Sequence, residues 1–283
     1  MNKTVIIVDS TCDLSPELIK ENEIVIVPLT VNFPDESYHD GVNLTTKELY
    51  EKVAEKGMLP KTAAVTIGEL FAVFEEYIEK GYDIIYTGIS SAMSKSYENA
   101  VLTSKEFPEG RIEVVDSQNL STGIGLVVLK GCKARKEGKN VHEIAEIMRD
   151  TVPYVRSQFM IDTMEYLHKG GRCSSVAKLF GTILKIKPII SVRDAKMSVC
   201  AKPRGKTQVA LDCMLDMFKE DSLNIDTDCV FVTHSMADES CSYVLEKIKE
   251  IRSDVPVVVT QAGCVISTHC GPGTIGVLYI LKH

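Results

Sequence analysis

The sequence predicts an α/β protein in two parts: an N-terminal α/β domain with a mostly parallel sheet and a C-terminal α/β domain with a mixed sheet. Three observations carry this. Short β-branched runs alternate with amphipathic, capped stretches through the first half, the order that crossover connections and a parallel sheet require. A hairpin signal interrupts the alternation in the second half and places antiparallel pairing there. At 283 residues the chain also exceeds the usual reach of one compact core.

The elements follow in order. "TVIIVD" (4–9) and "IVIVPLTV" (24–31) read as strands. Between them Ser15 as N-cap and Pro16 at the first helical position announce a short helix. "NLTTKELYEKVAEKG" carries a capping box from Thr45 to Glu48 and stops at Gly57. A second box, Thr66 to Glu69, opens "IGELFAVFEEYIEKG". Then come the strand "YDIIYTGI", the helix "AMSKSYENAVLTSKEF", the strand "RIEVVDS" and the helix "LSTGIGLVVLKGCKARKEG". After "NVHEIAEIMRDTVPYV" the pattern changes, so the expected units are 1–157 and 158–283. The second contains the strand "SQFMIDTM", the helix "SSVAKLFGTIL", a hairpin turning at Arg193 to Lys196, and the helix "TQVALDCMLDMFKE". It closes with the strand "CVFVTHS", the helix "ADESCSYVLEKIKEI" and the strands "VPVVVTQA" and "TIGVLYIL".

Composition narrows the function classes. With 45% hydrophobic and 25% charged residues the chain is an ordinary globular protein. A net charge of -7 excludes a general nucleic-acid binder, which needs a basic surface to neutralise phosphates. No apolar run approaches the ~18 residues needed to span a bilayer, and the start lacks a signal-peptide core. A cytoplasmic protein without stable membrane insertion is expected. Nine cysteines with no CxxC pair read as reduced thiols in apolar surroundings rather than a disulfide framework.

Several stretches invite a chemical reading. "TGISSAMS" follows a strand and precedes a helix, where backbone N–H groups and hydroxyls can hold a carboxylate or phosphate. Within it "GISSA" approaches a nucleophile elbow, and Ser90, Asp116 and His269 follow the chain order of an α/β-hydrolase triad, although Ala92 breaks the motif. The alternative is that these serines simply cap a helix. Arg172 follows the paired Gly170 and Gly171, which end one short helix, while Ser174 can cap the next, so a tight turn holds the guanidinium; the alternative is a solvated surface arginine. "KPRGKT" ends like a P-loop, but Cys200 occupies the position of the first required glycine, which excludes a Walker A motif. Cys264, His269 and Cys270 lie close together, yet no second ligand pair stands near His168 or His234, so no metal is expected. Gly271 and Gly273, flanking Pro272, allow a sharp turn and close approach to another group beside His269.

"VIIVDSTCDL", "PKTAAVTIGEL", "GISSAMSKSYENA", "VVDSQNLSTGIG", "EYLHKGGRCSSVAKLFGTILKIKPII", "AKPRGKT" and "GCVISTHCGPGTIGV" occur in this order along essentially the whole chain. In this the sequence resembles the DegV family. The resemblance implies a two-domain α/β protein that holds one long-chain fatty acid, such as palmitate, between its domains, with no cofactor and no catalysis of its own. It further implies a possible fatty acid kinase partner, to which the acyl carboxylate would be presented. By the same resemblance Thr62, Ser94 and His269 gather around that carboxylate and Arg172 stands near it. Arg204 is implied in phosphoryl transfer or kinase docking. The chain departs from the family pattern at Ala63, Ala64, Val65 and Thr66, where Ser-Gln-Pro-Ser is usual, and at Lys95 and Ser96, where Gly-Thr is usual.

Elementary energetics agree with such a ligand. Burying an acyl chain of ~16 carbons yields on the order of 10 kcal/mol of gross driving force before association entropy is subtracted. A carboxylate brought inside needs hydroxyls, an imidazole or a guanidinium to replace its water. Two rival readings predict different behaviour: an acyl-ester hydrolase built on Ser90, and a regulatory module that carries no ligand.

Overall fold

The computed structural model describes residues 2–180 and 186–282. The first sheet is wholly parallel and contains β1 (Lys3–Asp9), β2 (Ile24–Val27), β6 (Tyr82–Gly88) and β7 (Ile112–Asp116), in the order β2-β1-β6-β7. Successive residues of β1 serve opposite faces, as a pleated strand dictates. Val5 and Ile7 pack with α3 (Ile67–Glu79) and α4 (Ser96–Ser104), while Ile6 and Val8 pack with α5 (Thr122–Lys136) and α6 (Val141–Thr151). Both expected capping boxes form, at Thr45 for α2 (Thr46–Lys56) and at Thr66 for α3. Ser15 caps α1 (Pro16–Glu21) with Pro16 at its first position.

The run expected as one strand over 24–31 is two strands in different sheets. Pro28 has no N–H to give to a ladder, and the chain turns there. Its second part, β3 (Thr30–Asn32), pairs antiparallel with β4 (Ser37–His39) and β5 (Lys61–Ala63) in a three-stranded sheet that the sequence reading did not anticipate. The helix expected from Ala92 begins only at Ser96, after a turn over the preceding residues.

The second sheet is mixed and has six strands, in the order β10-β9-β8-β13-β11-β12. Its members are β8 (Val155–Met160), β9 (Ile189–Arg193), β10 (Lys196–Ala201), β11 (Val230–Ser235), β12 (Val257–Gln261) and β13 (Thr274–Ile280). Only β11 and β12 run parallel. The β9–β10 hairpin turns at Asp194 and Ala195, both at positive φ, 49° and 65°. These are the signs of a type I′ turn, which matches strand twist. One face of this sheet packs on α9 (Thr207–Asp221) and α10 (Asp238–Ile251), and the other turns inward toward α5. Helix α5 therefore lies between the two large sheets, its residues packing with β1 and β6 on one side and with β8 and β13 on the other.

Two short helices complete the inner layer. α7 (Glu165–Gly170) ends with Gly171 at φ 68°, as the paired glycines predict. α8 (Ser174–Leu179) starts one residue earlier than a Ser174 cap would allow. Cys173 is its N-cap and makes no side-chain bond. The helix ends at Leu179, with Phe180 as its C-cap, and positions 181–184 of the helix expected through Leu184 lie outside the described residues. Finally, the segment before the Gly-Pro-Gly turn is a helix, α11 (Cys264–Cys270), with His269 in its last turn.

Candidate functional site

A cavity of about 370 Å³ opens between the inner face of the six-stranded sheet and the loops of the first sheet. Its floor follows from strand alternation. On β13, Thr274, Gly276 and Leu278 share one face, and Thr233 and Ser235 on β11 do the same. Gly276 lies in the middle of a central strand, a position where glycine marks close approach of another group. Met93, Leu120, Phe159, Leu167 and Met197 supply an apolar wall that continues into a buried cluster with Val176 and Ile190.

All four residues expected around a head group, Thr62, Ser94, Arg172 and His269, line this cavity. Thr62 comes from β5 and His269 from α11, 207 positions away, and their side chains meet with Oγ1 2.8 Å from Nε2. The other ring nitrogen, Nδ1, is buried without a hydrogen-bond partner. A buried orphan N–H is costlier than a buried orphan lone pair, so the network assigns the proton to Nε2. His269 then donates to Thr62 Oγ1, and the threonine hydroxyl is free to donate onward to an acceptor in the cavity. Burial, and secondarily the nearby Arg172 charge, pushes the His269 pKa down to about 4, so the imidazole is neutral at pH 7.

Gly170 and Gly271 set the ring's surroundings. A Cβ on Gly170 would collide with His269 Nδ1, so only glycine lets α7 lie flat on the imidazole. The Gly170 carbonyl also accepts from Arg172 Nη1 at 2.6 Å, which ties the exposed guanidinium to the cavity mouth. Gly271 and Gly273 have φ 79° and 78°, and a Cβ at Gly271 would press on the Tyr166 ring at 2.9 Å. The sharp turn and close approach expected of these glycines are both present.

Ser94 is held by its neighbours. Its hydroxyl lies 3.1 Å from Ser96 Oγ and accepts from the Ser96 N–H at 3.3 Å. Ser96 in turn accepts the Val65 N–H at 3.3 Å, and Asn99 Nδ2 donates to the Val65 carbonyl at 2.8 Å. The loop carrying Thr62 is thereby joined to the loop carrying Ser94. The departures from the family pattern acquire physical meaning here. A proline at position 65 could not donate to Ser96, whereas Val65 does, and its side chain is fully buried. Thr66 caps α3. Ala63 and Ala64 line the cavity with methyl groups, and Lys95, whose ammonium pairs with Glu98, joins Arg172 as a cation of the lining among the described residues.

Arg204 is not brought to this site. It is exposed, pairs with Ile186 in an isolated bridge before α9, and is absent from the cavity wall. The hydrolase constellation is also not assembled. The fully buried Ser90 donates to the Ala195 carbonyl at 2.9 Å, Asp116 accepts from the Ser91 hydroxyl at 2.6 Å, and His269 is engaged with Thr62. Cys264 Sγ rests 3.2 Å from the Leu44 carbonyl, and among the described residues no group of three or more ligating side chains could hold a metal. No helix among the described residues is long and apolar enough to cross a membrane.

Sequence reasoning missed the buried carboxylates Asp9, Asp13 and Asp40, which meet behind the site. Asp9 accepts the Ile89 N–H at 2.9 Å, Asp13 the Gly263 N–H at 2.9 Å, and Asp40 the Cys264 N–H at 2.7 Å. Burial raises the pKa of each, that of Asp9 to about 6. The available signal was the pair of acids in "DSTCDL", next to a strand end where burial is common.

The fold has close counterparts. The family model described as "Uncharacterised protein, DegV family" matches residues 3–282. A DegV domain-containing protein of Clostridium acetobutylicum is 33% identical over 283 residues, 100% of both chains. A DegV family protein of Thermus thermophilus, described for fatty acid binding, superimposes with a TM-score of 0.91 at 26% identity, covering 99% of this chain and 100% of its own. A stearic acid-binding protein of Eubacterium ventriosum gives 0.88 at 26% identity over 100% and 99% of the two chains. With the model spanning nearly every residue and a relative matching end to end, the chain belongs to the DegV family.

Proposed function

We propose that this protein is a carrier that binds one long-chain fatty acid, with the acyl tail in the apolar cavity and the carboxylate among Thr62, Ser94, His269 and Arg172. One observation carries the reading: these four side chains line a single cavity whose wall is otherwise mostly apolar. Its volume of about 370 Å³ falls within the roughly 300–1,000 Å³ typical of small-molecule sites. The solved relatives described as fatty acid-binding proteins support the same ligand class. The tail supplies affinity through burial, and the polar groups fix orientation. A neutral imidazole is the right companion, because it donates a hydrogen bond without needing a second buried charge.

The carrier needs no nucleophile of its own and no cofactor. Presentation of the carboxylate to a separate kinase would use the exposed Arg204, with the two units 1–157 and 158–283 closing on the ligand from either side, in the cytoplasm. Denaturing mass spectrometry of the protein as isolated tests the central reading. A fatty acid should accompany the wild type and be reduced in Ser94→Ala and His269→Ala. Lipid-free wild type from a lipid-replete cell would refute it, and ester turnover lost on Ser90→Ala would favour the hydrolase. For Arg204, unimpaired phosphoryl transfer to the bound acid in Arg204→Glu would remove the docking role.

A further inference from the structure

His269 reaches Thr62 only if α11 is held in place, and α11 is a seven-residue helix whose first amide groups need acceptors. Those acceptors come from far away in the chain. Asp13 Oδ1 takes the Gly263 N–H at 2.9 Å and Asp40 Oδ1 takes the Cys264 N–H at 2.7 Å. Gly263 makes this possible, because a Cβ there would stand 3.0 Å from Asp40 Oδ1 and 3.2 Å from Asp13 Oδ1. Each carboxylate uses its other oxygen to grip the first half of the chain. Asp40 Oδ2 accepts from Ser10 Oγ at 2.8 Å, and Asp13 Oδ2 accepts from the hydroxyl of Ser121, the N-cap of α5. Asp13 and Ser121 both sit at positive φ, 49° and 52°, a conformation that non-glycine residues adopt at some cost.

Among the described residues no lysine or arginine pairs with Asp9, Asp13 or Asp40. Buried acids without cations are unfavourable unless amide groups and a helix N-terminus compensate them, which is the arrangement here. We propose that Asp13 and Asp40 are positioning residues of the head-group site, holding α11 by its first amide groups and so setting where the His269 imidazole meets Thr62. This rests on the reading that His269 helps to hold a fatty acid carboxylate.

The test uses the full-length protein, delipidated, with palmitate as probe, reading affinity by calorimetry and the His269 ring titration by NMR. Asp40→Ala should weaken palmitate binding about 10-fold or more, because buried amide groups lose their acceptor and the helix shifts. In the same variant the His269 titration should move up from about 4 toward its ordinary 6.5 as the ring gains water. Asp40→Asn still offers an oxygen to the Cys264 N–H and should stay within roughly 3-fold of wild type, as a change well under the full effect of losing the bond. Wild-type affinity in Asp40→Ala, or weakened affinity with an unmoved His269 titration, would overturn the proposal. If Asp40→Ala does not fold, Asp40→Glu replaces it: the longer carboxylate must push α11 and move both readouts together, and movement of one alone refutes the idea. His269→Ala separates the two levels. Unchanged palmitate binding there sinks the head-group reading itself, whereas weakened binding there beside an unaffected Asp40→Ala sinks only the positioning role.

Discussion

Replacing Thr62 with valine removes one hydroxyl and keeps the shape of the side chain, so it isolates the contact on which the site turns. In the structure Thr62 Oγ1 lies 2.8 Å from His269 Nε2, and Nδ1 already has no partner. Without the hydroxyl both ring nitrogens are orphaned, and the acyl carboxylate loses a donor. A hydrogen bond to a charged group contributes about 1.5–3 kcal/mol, which corresponds to roughly 10- to 100-fold in affinity. Calorimetric titration of delipidated protein with palmitate should show that loss. Because Thr62 and His269 act as one donor chain, Thr62→Val combined with His269→Ala should lose less than the sum of the two single effects. Wild-type binding in Thr62→Val, or simple additivity in the double variant, would refute the donor-chain reasoning.

Three further outcomes follow from named geometry. Gly170→Ala places a methyl group against His269 Nδ1 and should weaken palmitate binding by about 5-fold or more, since overpacking of this kind costs ~1–3 kcal/mol; equal binding in equilibrium dialysis would show that the ring yields freely. The His269 pKa of about 4 lies below its ordinary 6.5, so its share of stability is complete above pH 6.5 and lost as pH falls toward 4. Asp9, raised to about 6, acts in the opposite sense, favouring the fold on the acid side. The difference in urea stability between His269→Gln and wild-type apo protein therefore isolates the histidine, and should change across pH 6.5 to 4 while staying flat above. Ala195→Gly relieves a left-handed residue at φ 65° in the hairpin turn and should raise stability by about 0.5–1 kcal/mol, read as a higher thermal midpoint with unchanged lipid content.

Much of the architecture was legible because it is local. Capping boxes at Thr45 and Thr66, Pro16 after Ser15, and the alternation within β1 act over a few residues and survive any tertiary setting. No element was read in "CVISTHC", where β-branched residues blur the helical signal, and it is a helix whose start receives acceptors from Asp13 and Asp40. "IVIVPLTV" looked continuous until Pro28 divided it between two sheets. The head-group residues were identified through resemblance to a family. Spacing alone left His269 open to several roles.

What the sequence determined by itself is therefore most of the elements of the two large sheets, the parallel and mixed character of those sheets, and the turn glycines beside Pro272, since backbone sterics and amphipathic periodicity are written within a few positions. Only the tertiary structure decided that Thr62 meets His269, that Ser90 turns away to the Ala195 carbonyl, and that three buried acids satisfied by backbone amide groups gather behind α11. These depend on groups up to 250 positions apart being buried together, and burial is a property of the packed whole that no single stretch of chain contains.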